Sequence, residues 1–409
     1  MKIAINCAFF QPKGGGIKEY IQNLVENLSI VDSENEYVLY VLEDQLDYAK
    51  KNLKTHFRIK DIPYKSNGLA NVMQRSLFED FFWRQEELTE NWDIFHSPFF
   101  HGPKLRHTPL LLTVHDMRFY RFPKTYTFLR YQFLKRAVKN SIERAFHIIS
   151  ISDFTKNEIC YAYKTNPSKI TTIHEAINRD HFSSMPLSEN DNHLISDLLG
   201  KKFILTVGHM EPRKNYNRLI KAFEKVKSDD GLKLVIVGKK AHDYTETLHQ
   251  IDTNPDIIYM DFVSDALLNW LYREANVFVF PSFYEGFGFP PLEAASHGTI
   301  SAVSKISSMP EVCGDSVLYF DPYNIDDIAN KITQLLDDET LQASLSSKLE
   351  NQLAKFSWRQ NAEDTLNVYN FIKEQSTVCM MGGEGNTLII INISYLCDYI
   401  KICKNPICA

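Results

Sequence analysis

The sequence lacks most of the features that announce a chemistry. None of its seven cysteines forms a CxxC pair, and four fall within the last 31 residues, leaving Cys7, Cys160 and Cys313 scattered over the body. Three isolated thiols build neither a disulfide scaffold nor a zinc site, and they suit a reducing compartment. No apolar run reaches the ~20 residues of a membrane-spanning helix. The opening MKIAINCAFF meets Gln, Pro, Lys and Gly by position 14, too soon for a secretory leader. There is no GxGxxG and no P-loop, so nicotinamide or ATP binding has no support. Charge of one sign is also scarce: 45 basic against 51 acidic residues leave −6, which argues against a dedicated nucleic-acid binder. A cytoplasmic protein with no nucleic-acid partner is expected.

What is present is a repeated rhythm. Hydrophobic residues are 44% and charged residues 23% of 409 positions, a globular mix with room for two or three domains. Short apolar runs at Lys2 to Phe9, Tyr37 to Leu42, Asp93 to His96, Leu110 to Val114 and His147 to Ile151 read as buried strands. Helix patterns such as Ile17 to Leu28 and Phe128 to Phe146 lie between them. After a polar stretch from Asn178 to Asn192 a second series begins: Phe203 to Val207, Leu232 to Val237, Ile257 to Met260, Val277 to Phe280, Ile300 to Val303 and Val317 to Phe320. The fold class is therefore α/β, with two doubly wound Rossmann-like domains, 1–180 and 201–355, joined through 181–200 and facing across a cleft. FSWRQNAEDTLNVYNFIKE, within 356–375, has Ser357 in the N-cap position and Trp358, Ala362, Leu366, Tyr369 and Ile372 at helical spacing. Residues 376–409 leave this rhythm and carry the surplus cysteines.

Four constellations could carry chemistry. FPSFYEGFGFPPLEAASHG, 280–298, reads as strand, glycine loop and helix, with Pro290 and Pro291 in the first turn and Gly298 at the stop. The peptide N–H groups of Phe287, Gly288 and Phe289 then lie at a helix N-terminus, which attracts a diphosphate. Glu285 and Glu293 bracket that turn; carboxylates are poor phosphate ligands but good acceptors for sugar hydroxyls. TVGHMEPRKNYNRLIKAF, 206–223, places Arg213 and Lys214 after a strand, where paired cations can neutralise a leaving diphosphate; the alternative is a solvated basic turn. KGGGIKEY, 13–20, follows the first strand, and Gly15 and Gly16 let backbone approach a ligand, unless this is an ordinary flexible loop. LTVHDM ends a strand at His115 and Asp116, directing them to the cleft, although a lone histidine is more often structural.

One local departure from neutrality stands out. Between Lys104 and Arg144 ten Lys or Arg face only Asp116 and Glu143, with Phe119, Tyr120, Phe122, Tyr126, Phe128, Tyr131 and Phe133 interleaved. Such a stretch either packs its aromatics inward under a solvated charged face or meets anionic lipid, making residues 104–144 a candidate peripheral membrane contact.

Taken together, the motifs resemble the retaining glycosyltransferases of family 4, which have the two-domain GT-B fold, over roughly residues 1–375. GGGIKEY resembles the family's glycine loop, TVHDM its histidine strand end, SISDFTKNEI its Ser-rich turn, VGHMEPRKN its donor-phosphate loop, and Glu285 with Glu293 its paired glutamates. The resemblance implies that Arg213 and Lys214 hold a nucleotide-sugar diphosphate. It has Glu285 and the Phe287–Phe289 backbone position the sugar, Glu293 accept from the ribose, and His115 meet the sugar near the reacting carbon. Gly15 and Gly16 would close over the phosphates from the acceptor-binding N-terminal domain, and the helix from Ser357 would cross back to that domain. The implied acceptor is a glycan or lipid-linked hydroxyl in surface polysaccharide synthesis, at the inner face of the cytoplasmic membrane. The EPRKN form suggests a mannose donor, GDP-mannose first. With no DxD-like pair beside the phosphate loop, no metal is expected. His209, Asn215 and Asp261 depart from the family pattern, and Asp261 bears on the base. A nucleotide-sugar epimerase or a phosphorylase of the same architecture, and a non-catalytic sugar-nucleotide binder, are the alternatives.

Overall fold

A computed structural model of the chain describes residues 1–12, 15–66, 69–178, 186–226, 231–240 and 245–381. The tail from 382 onward lies outside the described residues, as do Lys13 and Gly14 of the glycine loop. Among the described residues thirteen strands form two sheets. The first contains β1 (Lys2–Asn6), β2 (Glu36–Leu42), β3 (Arg58–Ile62), β4 (Ile94–Ser97), β5 (Leu110–Val114), β6 (His147–Ser150) and β7 (Ile170–Thr172). The second contains β8 (Phe203–Val207), β9 (Lys233–Val237), β10 (Ile257–Met260), β11 (Val277–Phe280), β12 (Ser301–Ser304) and β13 (Leu318–Phe320).

Strand order is β3-β2-β1-β4-β5-β6-β7 in one sheet and β10-β9-β8-β11-β12-β13 in the other, with every pairing parallel. Parallel sheets must be covered on both faces, which is why β2, β5 and β11 read as near-continuous apolar runs. Strand order reverses between β1 and β4 and again between β8 and β11. Ligands of open α/β sheets bind at such switch points, outside the carboxyl ends of the strands. Here those ends feed directly into Gly15 and Gly16 after β1, His115 after β5, Arg213 and Lys214 after β8, and Glu285 after β11.

The last helix, Trp358–Met381, packs on the first domain. Its Trp358, Ala362, Val368, Tyr369 and Ile372 are buried with Ile3, Ile5, Tyr20, Leu24 and Leu28 in one core cluster. Ser357 accepts from the Gln360 backbone N–H, the capping geometry its position suggests, and the helix continues past 375 into the segment that leaves the βα rhythm. The Tyr369 hydroxyl lies 2.7 Å from His96 Nδ1, and His96 Nε2 lies 2.8 Å from Thr113 Oγ1, so the crossing helix is tied to the centre of the N-terminal sheet. Tyr369→Phe removes the partner of a buried ring nitrogen and is expected to cost about 1–3 kcal/mol, measured as a lower urea midpoint with the fold otherwise retained.

Candidate active site

The turn that carries Arg213 and Lys214 is built on backbone choices the sequence announces. Pro212–Lys214 forms one 3-10 turn after β8 with Pro212 in first place. Asn215 follows at φ 60°, a left-handed conformation that asparagine tolerates better than most residues. Its Nδ2 donates to the carbonyls of Pro281 (3.1 Å) and Pro322 (2.9 Å), so asparagine at this position supplies cross-links that a glycine would lack. The turn aims both cations at one carboxylate: Glu285 Oε1 lies 2.7 Å from Arg213 Nη1 and 2.8 Å from Lys214 Nζ. Arg213 also donates from Nη1 to the Tyr284 carbonyl at 3.0 Å and from Nε to Glu211 at 2.8 Å. The Lys214 ammonium, itself buried, sits 4.6 Å from the centre of the Phe280 ring.

The electrostatics follow from this packing. Burial works against the Glu285 carboxylate, but Lys214 and Arg213 outweigh it and hold its pKa down to about 2. Lys214 is lowered by burial, with Glu285 opposing, while Arg213 is raised because Glu285 and Glu211 overcome its burial. A depressed carboxylate contributes stability above its ordinary range and loses it as pH falls towards the depressed value, so the cluster is intact at neutral pH. Glu293 behaves oppositely. Burial raises its pKa, opposed by the Tyr272 hydroxyl that donates to Oε2 at 2.7 Å and by nearby Lys214. One carboxylate is thus locked in ion pairs, and the other remains a hydrogen-bonding group.

The loop between them is held from below. Ser308 Oγ donates to the carbonyls of Glu285 (3.1 Å) and Phe287 (2.6 Å), and Gly288, at φ 109°, lies so close to Met309 that a Cβ would fall 2.1 Å from Cε. Helix Phe289–Ser296 begins immediately after, with its prolines in the first turn. The N-terminal domain closes directly on this loop. Ser152 Oγ donates to the Gly286 carbonyl at 2.6 Å, the Met117 N–H donates to the Tyr284 hydroxyl at 2.7 Å, and Arg118 Nη1 reaches both Glu211 oxygens at 3.0 Å. Farther out, Glu311 accepts from the Asp153 and Phe154 N–H groups at the start of helix Asp153–Tyr163.

Arg213, Lys214, Glu285, Glu293 and the Phe287–Phe289 turn therefore converge, and the backbone of His115 lies against Gly286. The His115 ring is engaged within its own domain, with Nδ1 2.9 Å from Glu175 Oε1 and Nε2 2.9 Å from the Pro98 carbonyl oxygen. Gly15 and Gly16 are exposed at the start of helix Gly15–Val31, where a Cβ on either meets nothing within 4 Å, so they do not lie against the donor loop. Asp261, one of the departures from the family pattern, accepts from the Lys240 N–H and the Tyr259 hydroxyl, both at 3.0 Å. Glu211, Tyr284, Glu175 and Glu311 were not singled out in the sequence. Glu211 and Tyr284 adjoin motif residues and could have been found there, whereas Glu175 and Glu311 carry no local signal. No group of His, Cys, Asp and Glu suited to a metal ion occurs among the described residues.

Comparison with known proteins divides the chain at the same place. Residues 14–181 match the family Glycosyltransferase Family 4, and residues 192–352 match Glycosyl transferases group 1. The O-antigen chain mannosyltransferase B of Escherichia coli is 28% identical over 378 residues, covering 87% of this chain and 96% of that protein. The O-antigen chain mannosyltransferase RfbU of Salmonella typhimurium is 30% identical over 251 residues, 60% of this chain and 65% of that protein. Among solved structures, the sucrose-phosphate synthase (tll1590) from Thermosynechococcus elongatus superimposes with a TM-score of 0.69 over 91% of this chain and 99% of that one, at 16% identity. That likeness establishes the two-sheet GT-B architecture. Closure of the cleft depends on a residue without a side chain: a Cβ on Gly286 would fall 1.9 Å from the His115 carbonyl oxygen. Gly286→Ala is expected to hold the domains apart and reduce sugar transfer at least ~100-fold, the scale for misplacing reacting groups by about 1 Å, with thermal unfolding little changed.

Proposed function

Because the chain belongs to the glycosyltransferases that join a family 4 domain to a group 1 domain, we propose that it moves a mannosyl residue from GDP-mannose to a hydroxyl of a glycan or lipid-linked acceptor in surface polysaccharide synthesis, with retention of configuration. The observation that carries this reading is the convergence of Arg213 and Lys214 on one point beside the amide-lined turn Phe287–Phe289. A diphosphate bound there takes the partners that Glu285 engages in the free enzyme, and Glu285 turns to the sugar hydroxyls. Glu293, buried and accepting from the Tyr272 hydroxyl in the free enzyme, accepts from the ribose. The full-length similarity to a mannosyltransferase supports the donor sugar.

The reaction is carried by charge. The bond from the anomeric carbon to the β-phosphate oxygen breaks as the acceptor oxygen bonds to the same carbon from the same face, and the acceptor proton passes to the departing phosphate. Arg213, Lys214 and the helix N-terminus stabilise the negative charge that develops on that oxygen, in the role a metal ion plays in other transferases. Glu285 positions the sugar and forms no covalent bond.

The N-terminal domain supplies a surface suited to an acceptor held in a lipid layer. Helix Phe128–Arg144 exposes Phe128 (73%), Leu129 (80%) and Phe133 (56%) among Arg130, Lys135, Arg136 and Lys139, while Phe119 is buried, so only part of the aromatic set packs inward. Exposed apolar residues beside cations are the pattern of an interfacial helix. No helix among the described residues is long and apolar enough to cross a membrane.

Two experiments test the reading. A panel of nucleotide sugars assayed for product should show turnover with GDP-mannose that survives chelation of divalent cations; Lys214→Ala should lower kcat by roughly 100- to 1,000-fold, the scale for removing one preorganised donor from developing charge, with the fold intact by circular dichroism. Near-normal turnover in that variant would remove Lys214 from the mechanism. In vesicle flotation, binding to anionic but not neutral lipid should weaken with salt and fall on replacing Phe128, Leu129 and Phe133 by Ser; indifference to lipid charge would remove the membrane contact.

A further inference from the structure

Glu175 lies on the short stretch after β7, where the chain is about to leave the N-terminal domain. It is 2% exposed, an unusual place for a carboxylate. Three elements fix the stretch. His174 Nε2 is 2.7 Å from Glu311 Oε1 of the opposite domain, the His174 carbonyl accepts from Asn361 Nδ2 of the crossing helix at 2.8 Å, and Ile173 and Ala176 share a core with Trp358. Glu175 is thereby set at one distance from the His115 ring.

The partners of that ring decide its state. Nε2 lies 2.9 Å from the Pro98 carbonyl oxygen, which can only accept, so this nitrogen carries a hydrogen in every ionisation state. Nδ1 lies 2.9 Å from a Glu175 oxygen, and an ionised carboxylate also only accepts. Against an ionised Glu175, therefore, both nitrogens donate and the ring is an imidazolium. A flip of the ring would set carbon against both acceptors, so its orientation is fixed together with its charge.

We propose that Glu175 is a positioning residue for sugar transfer, holding His115 at the cleft in one orientation with both ring nitrogens protonated. This rests on the sugar-transfer function proposed above and on the role near the donor sugar that the family resemblance implies for His115. The groups that face the ring are Glu175 after β7, Asp116 beside it in the chain, His96 on β4 and Tyr20 on the first helix. Burial lowers the pKa of His115, but Glu175, the Pro98 carbonyl and Asp116 outweigh it and the net direction is upward. Burial, with His115 adding to it, holds His96 down at about 3, and burial raises Tyr20, so both are neutral near pH ~7 and leave the cation to His115. The backbone of His115 lies against Gly286, so the ring held in this way belongs to the segment that abuts the loop carrying Glu285 and Phe287.

The test uses the full chain. Nitrogen NMR of histidine-labelled enzyme, with His115 assigned by its loss in His115→Gln, should show an imidazolium ring in the wild type at about pH 7 and a neutral ring in Glu175→Gln. In steady-state assays, Glu175→Gln should lose about 10- to 100-fold in kcat near pH 8, the scale for removing a group that orients a functional histidine. KM should change little, and the loss should lessen as pH falls, because burial without Glu175 to oppose it moves protonation of the ring to lower pH. A neutral His115 ring in the wild type would overturn the proposal, and that measurement decides even if Glu175→Gln does not fold. Impaired transfer in His115→Gln beside a wild-type pH profile in Glu175→Gln would overturn the proposal and leave the reading of the cleft intact. Normal transfer in His115→Gln would overturn both the role given to that histidine and the proposal.

Discussion

Taking an ammonium and a guanidinium out of water costs several kcal/mol for each ion unless a counter-charge goes with them. In this chain that counter-charge is Glu285, whose one oxygen lies between Arg213 and Lys214. The geometry of the donor side follows from this contact. The 3-10 turn and the left-handed Asn215 exist to bring both cations to one point, Ser308 holds the carbonyls on either side of Glu285, and Gly288 lets the loop settle onto Met309 before the helix begins. A binding site assembled around an internal anion is already shaped for an external one. The protein keeps its cations ordered and desolvated without a ligand, so the diphosphate of the function proposed above would exchange with a carboxylate and not with bulk water.

The second constraint is the parallel sheet. Because every pairing is parallel, the strand ends on each domain emerge on one side, and two such sides facing each other make the cleft. Residues distant in sequence meet there through main chain as much as through side chains. Ser152 and Met117 reach the Gly286 carbonyl and the Tyr284 hydroxyl, and the carbonyl of His115 abuts Gly286. Such contacts tolerate little substitution, since a backbone cannot be trimmed or repacked.

Much of this was legible in the sequence where the signal is local. The strands that are buried on both faces are continuous apolar runs, so β1, β2, β5, β8 and β11 stand out, and the strand–loop–helix pattern around Glu285 fixes its own geometry. β3, Arg58–Ile62, was not legible, because it is an edge strand whose half-exposed face mixes Arg, Lys and Asp with isoleucine, and β7 is only three residues long. At the site, the acids and cations named by motif do converge, but two relations had no signal. The ring of His115 is claimed by Glu175 and Pro98, and a Cβ on Gly15 or Gly16 would meet nothing within 4 Å. Both depend on tertiary placement of segments whose composition is ordinary. The departures from family pattern were likewise opaque until seen in place: Asn215 replaces conformational freedom by two cross-links, and Asp261 is tied to Lys240 and Tyr259.

The route of the chain also has a mechanical meaning. It leaves the N-terminal domain after β7, builds the second domain, and returns through the Trp358–Met381 helix, which is buried against Leu24, Leu28 and Tyr20 as firmly as any element native to that domain. The domains are therefore joined by two crossings and not one. A single tether allows swing, twist and slide, whereas two attachment points define an axis and leave mainly rotation about it. A body that can only rotate about one line brings the same residues together each time it shuts. Register across the cleft becomes a property of covalent connectivity, and the few polar contacts at its lips need only choose between open and shut.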